Sequence, residues 1–233
     1  MTSDHTTPPQ DDPEGTTITV EIFSDVVCPW CYIGKRRFEK ALDAFRAAHP
    51  TAGVDVRFRA FQLDPTAPAG VSQPVQEAYA RKFGGPEAAQ QIIERVSGEA
   101  AKEGLDFRMD RALRANTLLA HQLLALAEER GVQDAMKERL LAAYFTDGLA
   151  IGDPDVLVDL AVGVGLDANE ARRWLDGSMG RQHVADDLEF ALDNGITSVP
   201  TYVFDGRLAV PGAQEPDLFL KVLERTLELA AAG

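Results

Sequence analysis

Cys28 and Cys31 are the only cysteines in the chain and stand two residues apart, in Cys28-Pro29-Trp30-Cys31. Two thiols at that spacing can touch when the second lies in the first turn of a helix, which leaves the first at the helix N-terminus. There the unpaired backbone N–H groups and the helix dipole favour a thiolate. Cysteines so placed titrate at roughly 3.5 to 7.5, against about 8.5 when free. Lys35, Arg36 and Arg37 follow one to two turns on and add positive potential. Cys28 is therefore expected to attack a disulfide and form a mixed disulfide, and Cys31 to resolve it by closing a Cys28–Cys31 bond. Pro29 presets φ at a helix start and has no N–H to leave unused there. Trp30 is expected at the exposed face of this site and Trp174 in a core.

Half of a zinc site looks the same, but such a site needs further ligands. The remaining candidates are His5, His49, His121 and His183, with no pair at ligand spacing, so no metal is expected. Two unreactive core cysteines are the other plain alternative. Far along the chain, Gly195-Ile196-Thr197-Ser198-Val199-Pro200-Thr201 sets a proline directly before a short strand. On its residues alone, Pro200 reads as an ordinary trans proline at a strand start.

The elements that must position these groups are legible as patterns. Thr17 to Phe23 alternates with Ile18, Val20 and Ile22 on one face, a strand. A helix follows over about 32–48, with Phe38, Leu42 and Phe45 at helical spacing, and ends at Pro50 and Gly53. Val54 to Phe61 alternates again. From Asp64 to about Arg181 only helical patterns occur: about 75–83, 86–103, 112–130 and 133–147, one opened by Asp153-Pro154, and one opened by Asp167 and Glu170. Mixed patterning then returns with a helix over 181–194, short strands at 201–204 and 208–210 around Asp205-Gly206, and a last helix over 216–232. The order β-α-β, helical block, α-β-β-α predicts an α/β fold interrupted by an all-helical insertion. The boundaries read as a tail over 1–16, a first half over 17–64, the insertion over 65–181 and a second half over 182–233.

Composition narrows the function. A chain of 233 residues fits one to two domains. Its net charge of −14 repels phosphate backbones and anionic lipid, so neither nucleic acid nor a membrane surface is an expected partner. No apolar run approaches the roughly 18 to 20 residues of a membrane span. The first residues carry Asp4, Asp11, Asp12 and Glu14 but no Lys or Arg, and no apolar stretch, so they are read as a solvated tail rather than a secretory signal. A cytoplasmic, reducing location is the expectation.

Three stretches together resemble the DsbA-like thioredoxin-fold oxidoreductases, and within them the FrnE-like branch. They are Ser24-Asp25-Val26-Val27-Cys28-Pro29-Trp30-Cys31-Tyr32-Ile33-Gly34, then Asn116-Thr117 with Ala120-His121, then Gly195 to Tyr202 with Val210-Pro211-Gly212-Ala213-Gln214. The resemblance implies a thioredoxin fold, a mixed central sheet flanked by helices, interrupted by a helical domain. It implies that Val199-Pro200 is cis and lies beside the CxxC pair, and that Val199, Pro200 and Thr201 receive an extended substrate. The partners it implies are thiol or disulfide substrates, protein or glutathione, with no cofactor beyond the redox-active pair. The central dipeptide is Pro-Trp rather than the Pro-His of the periplasmic enzyme, so that enzyme's strongly oxidising character is not carried over.

Asn116, Thr117 and His121 either face the groove above the CxxC pair or form a satisfied buried cluster; their very apolar helix favours the second. A thiol–disulfide oxidoreductase, with disulfide isomerase activity as one form, is the leading expectation. A glutathione-dependent isomerase or transferase, resembling 2-hydroxychromene-2-carboxylate isomerase and the kappa-class transferases, is the alternative; the resolving thiol Cys31 argues against it. A non-catalytic binding module is the third reading. Oligomeric state stays open, a homodimer included.

Overall fold

A computed structural model describes residues 15–70 and 73–232 of the chain. The tail expected over residues 1–16 lies outside the described residues except for its last two. Strand β1 (Thr17–Ser24) runs into helix α1 (Pro29–Ala48) and then strand β2 (Gly53–Ala60). A helical block follows: α2 (Val75–Phe83), α3 (Pro86–Lys102), α4 (Leu118–Glu129), α5 (Gln133–Ala142), α6 (Pro154–Gly163), α7 (Ala168–Asp176) and α8 (Met179–Asp193). Two-residue strands β3 (Gln73–Pro74) and β4 (Leu113–Arg114) pair with each other inside it. Strands β5 (Thr201–Phe204) and β6 (Leu208–Pro211) and helix α9 (Pro216–Ala231) close the chain. This is the α/β fold with a helical insertion that the patterning predicts, in the thioredoxin form that the family resemblance implies.

The main sheet has the order β2-β1-β5-β6. β1 is parallel to β2 and antiparallel to β5, and β5 is antiparallel to β6. Alternation decides which face is buried. Ile18, Val20 and Ile22 of β1 pack with Phe38 and Phe45 of α1 and Phe219 and Leu223 of α9. Phe23 points to the other face, where its ring stacks on Phe190 of α8 at 5.7 Å. A second core fills the insertion, around Leu123, Met136, Leu140, Phe145, Leu157 and Trp174. Val26, Tyr32 and Ile33, which bracket the CxxC pair, belong to this second core. The pair therefore sits where the two cores meet. Trp174 is buried, and its indole N–H donates to the Gln122 carbonyl at 2.8 Å.

Edge strand β2 is held by side chains from the helices. Gln133 accepts from the Phe58 N–H at 2.8 Å and donates to the Phe58 carbonyl at 2.9 Å, standing in for a neighbouring strand. Asp187 of α8 accepts from the Ala60 N–H at 2.7 Å.

Four elements differ from the sequence expectation. α1 begins at Pro29 rather than Tyr32, because Pro29 occupies its first turn. The helix expected from Ala112 begins at Leu118, because Leu113 and Arg114 pair as β4 and the Asn116 side chain accepts from the Leu118 N–H at 3.0 Å. The helix expected over 133–147 ends at Ala142 and continues as a single π-helical turn, Ala143–Asp147. The helix expected from Arg181 starts two residues earlier, at Met179. The cap at Asp153 forms, its carboxylate accepting from the Asp155 N–H, and Asp167 accepts from the Glu170 N–H.

Candidate active site

Strand register brings the two sequence-distant loops together. Phe23 of β1 pairs with Thr201 of β5 in antiparallel sense. The chain leaving β1 toward Cys28 and the chain entering β5 from Pro200 therefore meet at one end of the sheet. The Val199-Pro200 peptide bond is cis. The Pro200 carbonyl is fixed by the Gly212 N–H at 2.7 Å, and the Thr201 hydroxyl donates to the Ser198 carbonyl at 2.8 Å. Cys28 Sγ lies 3.8 Å from the Val199 carbonyl oxygen, a contact spanning 171 positions of sequence.

Cys28 is the N-cap residue of α1, in extended conformation at φ −87° and ψ 115°. Among the described residues no carboxylate or hydroxyl caps this helix, and its first turn holds no acidic residue. The free N-terminal dipole thus acts on the sulfur. The Cys28 thiol titrates below its ordinary range. The largest cause is a hydrogen bond from Cys31, joined by the backbone N–H groups of Cys31 and Trp30; burial and the Asp25 charge oppose it. Cys31 is pushed well up, first by burial, then by donating to Cys28 and by the Cys28 charge. Adjacent thiols of one motif are thus driven apart, the outer toward thiolate and the inner toward thiol.

Lys35 stands elsewhere than the sequence suggests. It is buried in a carboxylate cluster, paired with Glu39, with Asp134 at 3.0 Å and with Glu138 at 3.3 Å. Those three acids take up its charge. The cation that acts on the thiols is Lys137 of α5, which sequence reasoning missed. Its Nζ is buried without a hydrogen-bond partner among the described residues and lies over the Phe58 ring at 5.5 Å. Burial lowers its pKa to about 8, against the attraction of Cys31, Asp25 and Cys28. A signal existed: Lys137 lies three and four residues before the core positions Leu140 and Leu141, on the buried face of its helix.

Asp25, wholly buried three residues before Cys28, also carried no sequence-level role. One carboxylate oxygen accepts from the Leu63 N–H at 2.8 Å and the other lies 3.2 Å from His121 Nε2. His121 is thus a buried partner of the loop that presents Cys28. Asn116 donates to the Ala67 carbonyl at 2.7 Å, and Thr117 lies within 3.4 Å of the Gln62 amide. Asn116, Thr117 and His121 are not among the residues lining the groove at Cys28.

That groove has a volume of about 630 Å³. Cys28, Pro29, Trp30 and Val199 form one side; Tyr79, Phe83 and Val96 of α2 and α3, with Tyr144 of the π turn, form the other. Trp30 is half-buried in its wall. Cys28 is 4% exposed and Cys31 is 3% exposed, but only Cys28 borders the groove.

The DSBA-like thioredoxin domain family matches residues 19–224. The probable DsbA oxidoreductase SCO1869 of Streptomyces coelicolor is 39% identical, with 90% of this chain and 89% of that chain covered and a TM-score of 0.83. The uncharacterized protein YwbO of Bacillus subtilis is 28% identical over 209 residues, 89% of this chain and 96% of its own. The fold is shared with the cytosolic disulfide reductase DsbM of Pseudomonas aeruginosa, solved with GSH: 22% identity, 90% of this chain and 99% of that chain, and a TM-score of 0.62.

Proposed function

This chain belongs to the DSBA-like thioredoxin domain family, and we propose that it is a thiol–disulfide oxidoreductase whose working couple is Cys28 and Cys31. One observation carries the reading: Cys28 stands at an uncapped helix N-terminus, facing the groove and the Val199 carbonyl, with Cys31 donating to it from behind.

The reaction runs in two displacements. The Cys28 thiolate attacks one sulfur of a substrate disulfide, a mixed disulfide forms, and the other substrate sulfur leaves as a thiolate. Cys31 then gives up its proton and attacks Cys28 Sγ. The Cys28–Cys31 bond closes and the second substrate thiol is released, so the substrate gains two electrons and the dithiol loses them. Run backwards, the same steps oxidise a dithiol substrate; stopped at the mixed disulfide, they permit isomerisation. The Lys137 ammonium stabilises the Cys31 thiolate that the second displacement needs. Val199, Pro200 and Thr201 receive the chain on either side of the substrate sulfur. No cofactor beyond the dithiol is required. The chain holds no further cysteine for a structural disulfide, which supports work in a reducing cytoplasm.

The test is trapping. With disulfide-bridged substrate, Cys31→Ser accumulates a mixed disulfide at Cys28 and Cys28→Ser forms none. Unchanged disulfide reduction by Cys28→Ser overturns the proposal.

A further inference from the structure

The chain carries 37 acidic against 23 basic residues, but the groove at Cys28 inverts that balance. Among the described residues, four that line it are cationic, Arg81, Lys82, Arg95 and Arg114, and Asp64 is the only acid. Asp64 is paired with Arg114, which leaves three cations uncompensated or nearly so. Arg81 donates to the Gln73 side chain and has Glu77 only at 3.9 Å, one turn back on α2. Lys82 lies over the Phe83 ring at 5.7 Å, and neither Lys82 nor Arg95 meets a carboxylate among the described residues. The rest of the lining is mostly apolar and aromatic, with Trp30 from the motif and Tyr79 from α2.

Resting on the oxidoreductase reading, we infer that the groove selects acidic polypeptide substrates: a disulfide-bonded cysteine with apolar neighbours and carboxylates a few residues on. The substrate sulfur meets Cys28, its backbone lies along Val199, the apolar neighbours fill the aromatic wall, and the carboxylates reach Arg81, Lys82 and Arg95. In an open, water-filled groove such pairs act mainly by steering encounter, so the selection appears in the rate and weakens with salt.

Two forces predict opposite results, which makes the inference testable. The overall charge of −14 attracts cationic substrates, and the groove attracts anionic ones. The experiment uses the reduced full-length chain and disulfide-linked dimers of a short peptide, cysteine followed by two leucines and then three Glu, three Gln or three Lys. Stopped-flow fluorescence gives the rate constant of dithiol oxidation at low and high salt. The Glu peptide reacts about tenfold faster than the Lys peptide, and the advantage falls toward one in 0.5 M salt. In Arg81→Gln/Lys82→Gln/Arg95→Gln, the Glu-to-Gln rate ratio falls to about one. A Lys peptide equal to or faster than the Glu peptide overturns the inference, as does a Glu-to-Gln ratio unmoved by the triple variant. Glutathione disulfide outpacing the Glu peptide overturns it in favour of a small anionic disulfide. If no peptide reacts, nor the neutral 2-hydroxyethyl disulfide, it is the oxidoreductase reading that fails; if all react without charge preference, only this inference does.

Discussion

Gly34, in the second turn of α1, leaves the space that Pro200 occupies: a Cβ at Gly34 would stand 3.2 Å from Pro200 Cγ, 2.6 Å from Tyr202 Oη and 3.3 Å from Ala213 Cβ. The missing side chain lets the helix that carries the cysteines lie directly against the loop that carries Val199. Tyr202 is fully buried and Pro200 is tied to Gly212, so none of these neighbours can yield cheaply. Gly34→Ala is expected to destabilise the chain by about 1–3 kcal/mol through overpacking. By displacing Val199 from Cys28 it should also slow disulfide exchange by tenfold or more, since misplacement of about 1 Å can cost up to about a hundredfold. Urea unfolding and the exchange rate below the unfolding transition separate the two effects. Exchange at the unaltered rate would mean that the Cys28–Val199 distance does not matter.

The Cys28 thiolate rests on two opposing neighbours, and the variants move its titration in opposite directions. Cys31→Ala removes the donated hydrogen bond and raises the pH at which Cys28 ionises. Asp25→Asn removes a negative charge and lowers it. Alkylation of Cys28 by iodoacetamide against pH reads both. Movement of the two variants in the same direction would contradict this account of the site.

Lys137 ties stability to pH. Its folded pKa of about 8 lies below the ordinary 10.5, so between those values the unfolded chain binds more protons. Stability therefore rises with pH across that window, and the cost of burying the charge is fully present below it. At about 1.4 kcal/mol for each tenfold change in proton affinity, the cost is about 3 kcal/mol. In a Cys28→Ser/Cys31→Ser background, where no thiol titrates and the attraction of the two sulfurs no longer offsets burial, Lys137→Met should raise the unfolding free energy at pH 7 by at least that amount, with the gain fading above about pH 10. With the cysteines intact, the same substitution should slow closure of the Cys28–Cys31 bond. Chemical denaturation across pH checks the first effect, and decay of the trapped mixed disulfide checks the second.

Asp25 and His121 should matter to structure more than to substrate. Asp25→Ala leaves the buried His121 without this partner and releases the Leu63 N–H; an unpartnered buried group costs about 1–3 kcal/mol. His121→Ala should lower stability while leaving the KM for a small disulfide unchanged. A large rise in KM would place His121 in contact with substrate.

Sequence and structure agree wherever the signal is local. The alternation of Ile18, Val20 and Ile22 marks a strand with one buried face, and Asp205-Gly206 marks a turn; both residues take left-handed backbone there, at φ 48° and 63°. The Cys28-Pro29-Trp30-Cys31 spacing sets Cys28 at the start of α1 and Cys31 in its first turn, as the sequence suggests. What escaped depends on contacts between distant segments. Gln73 and Leu113 form strands too short to have a period, visible only once they pair. Lys35 and Lys137 are both lysines in charged helical stretches. Only the fold shows that Glu39, Asp134 and Glu138 surround the first, while the second lies buried with no hydrogen bond to its nitrogen among the described residues. Pro200 is a third case: its residues alone read as trans, and the cis bond became an expectation through family resemblance rather than through any local pattern.

The central claim is that Cys28 and Cys31 form one working dithiol–disulfide couple. Equilibration of the purified chain in graded glutathione buffers, read by trapping of free thiols and by Trp30 fluorescence with Trp30→Phe as control, tests it most directly. The account predicts a single reversible two-electron transition in which both thiols disappear together, absent in Cys28→Ser. Both thiols trapped, or both protected, at every buffer ratio would contradict it.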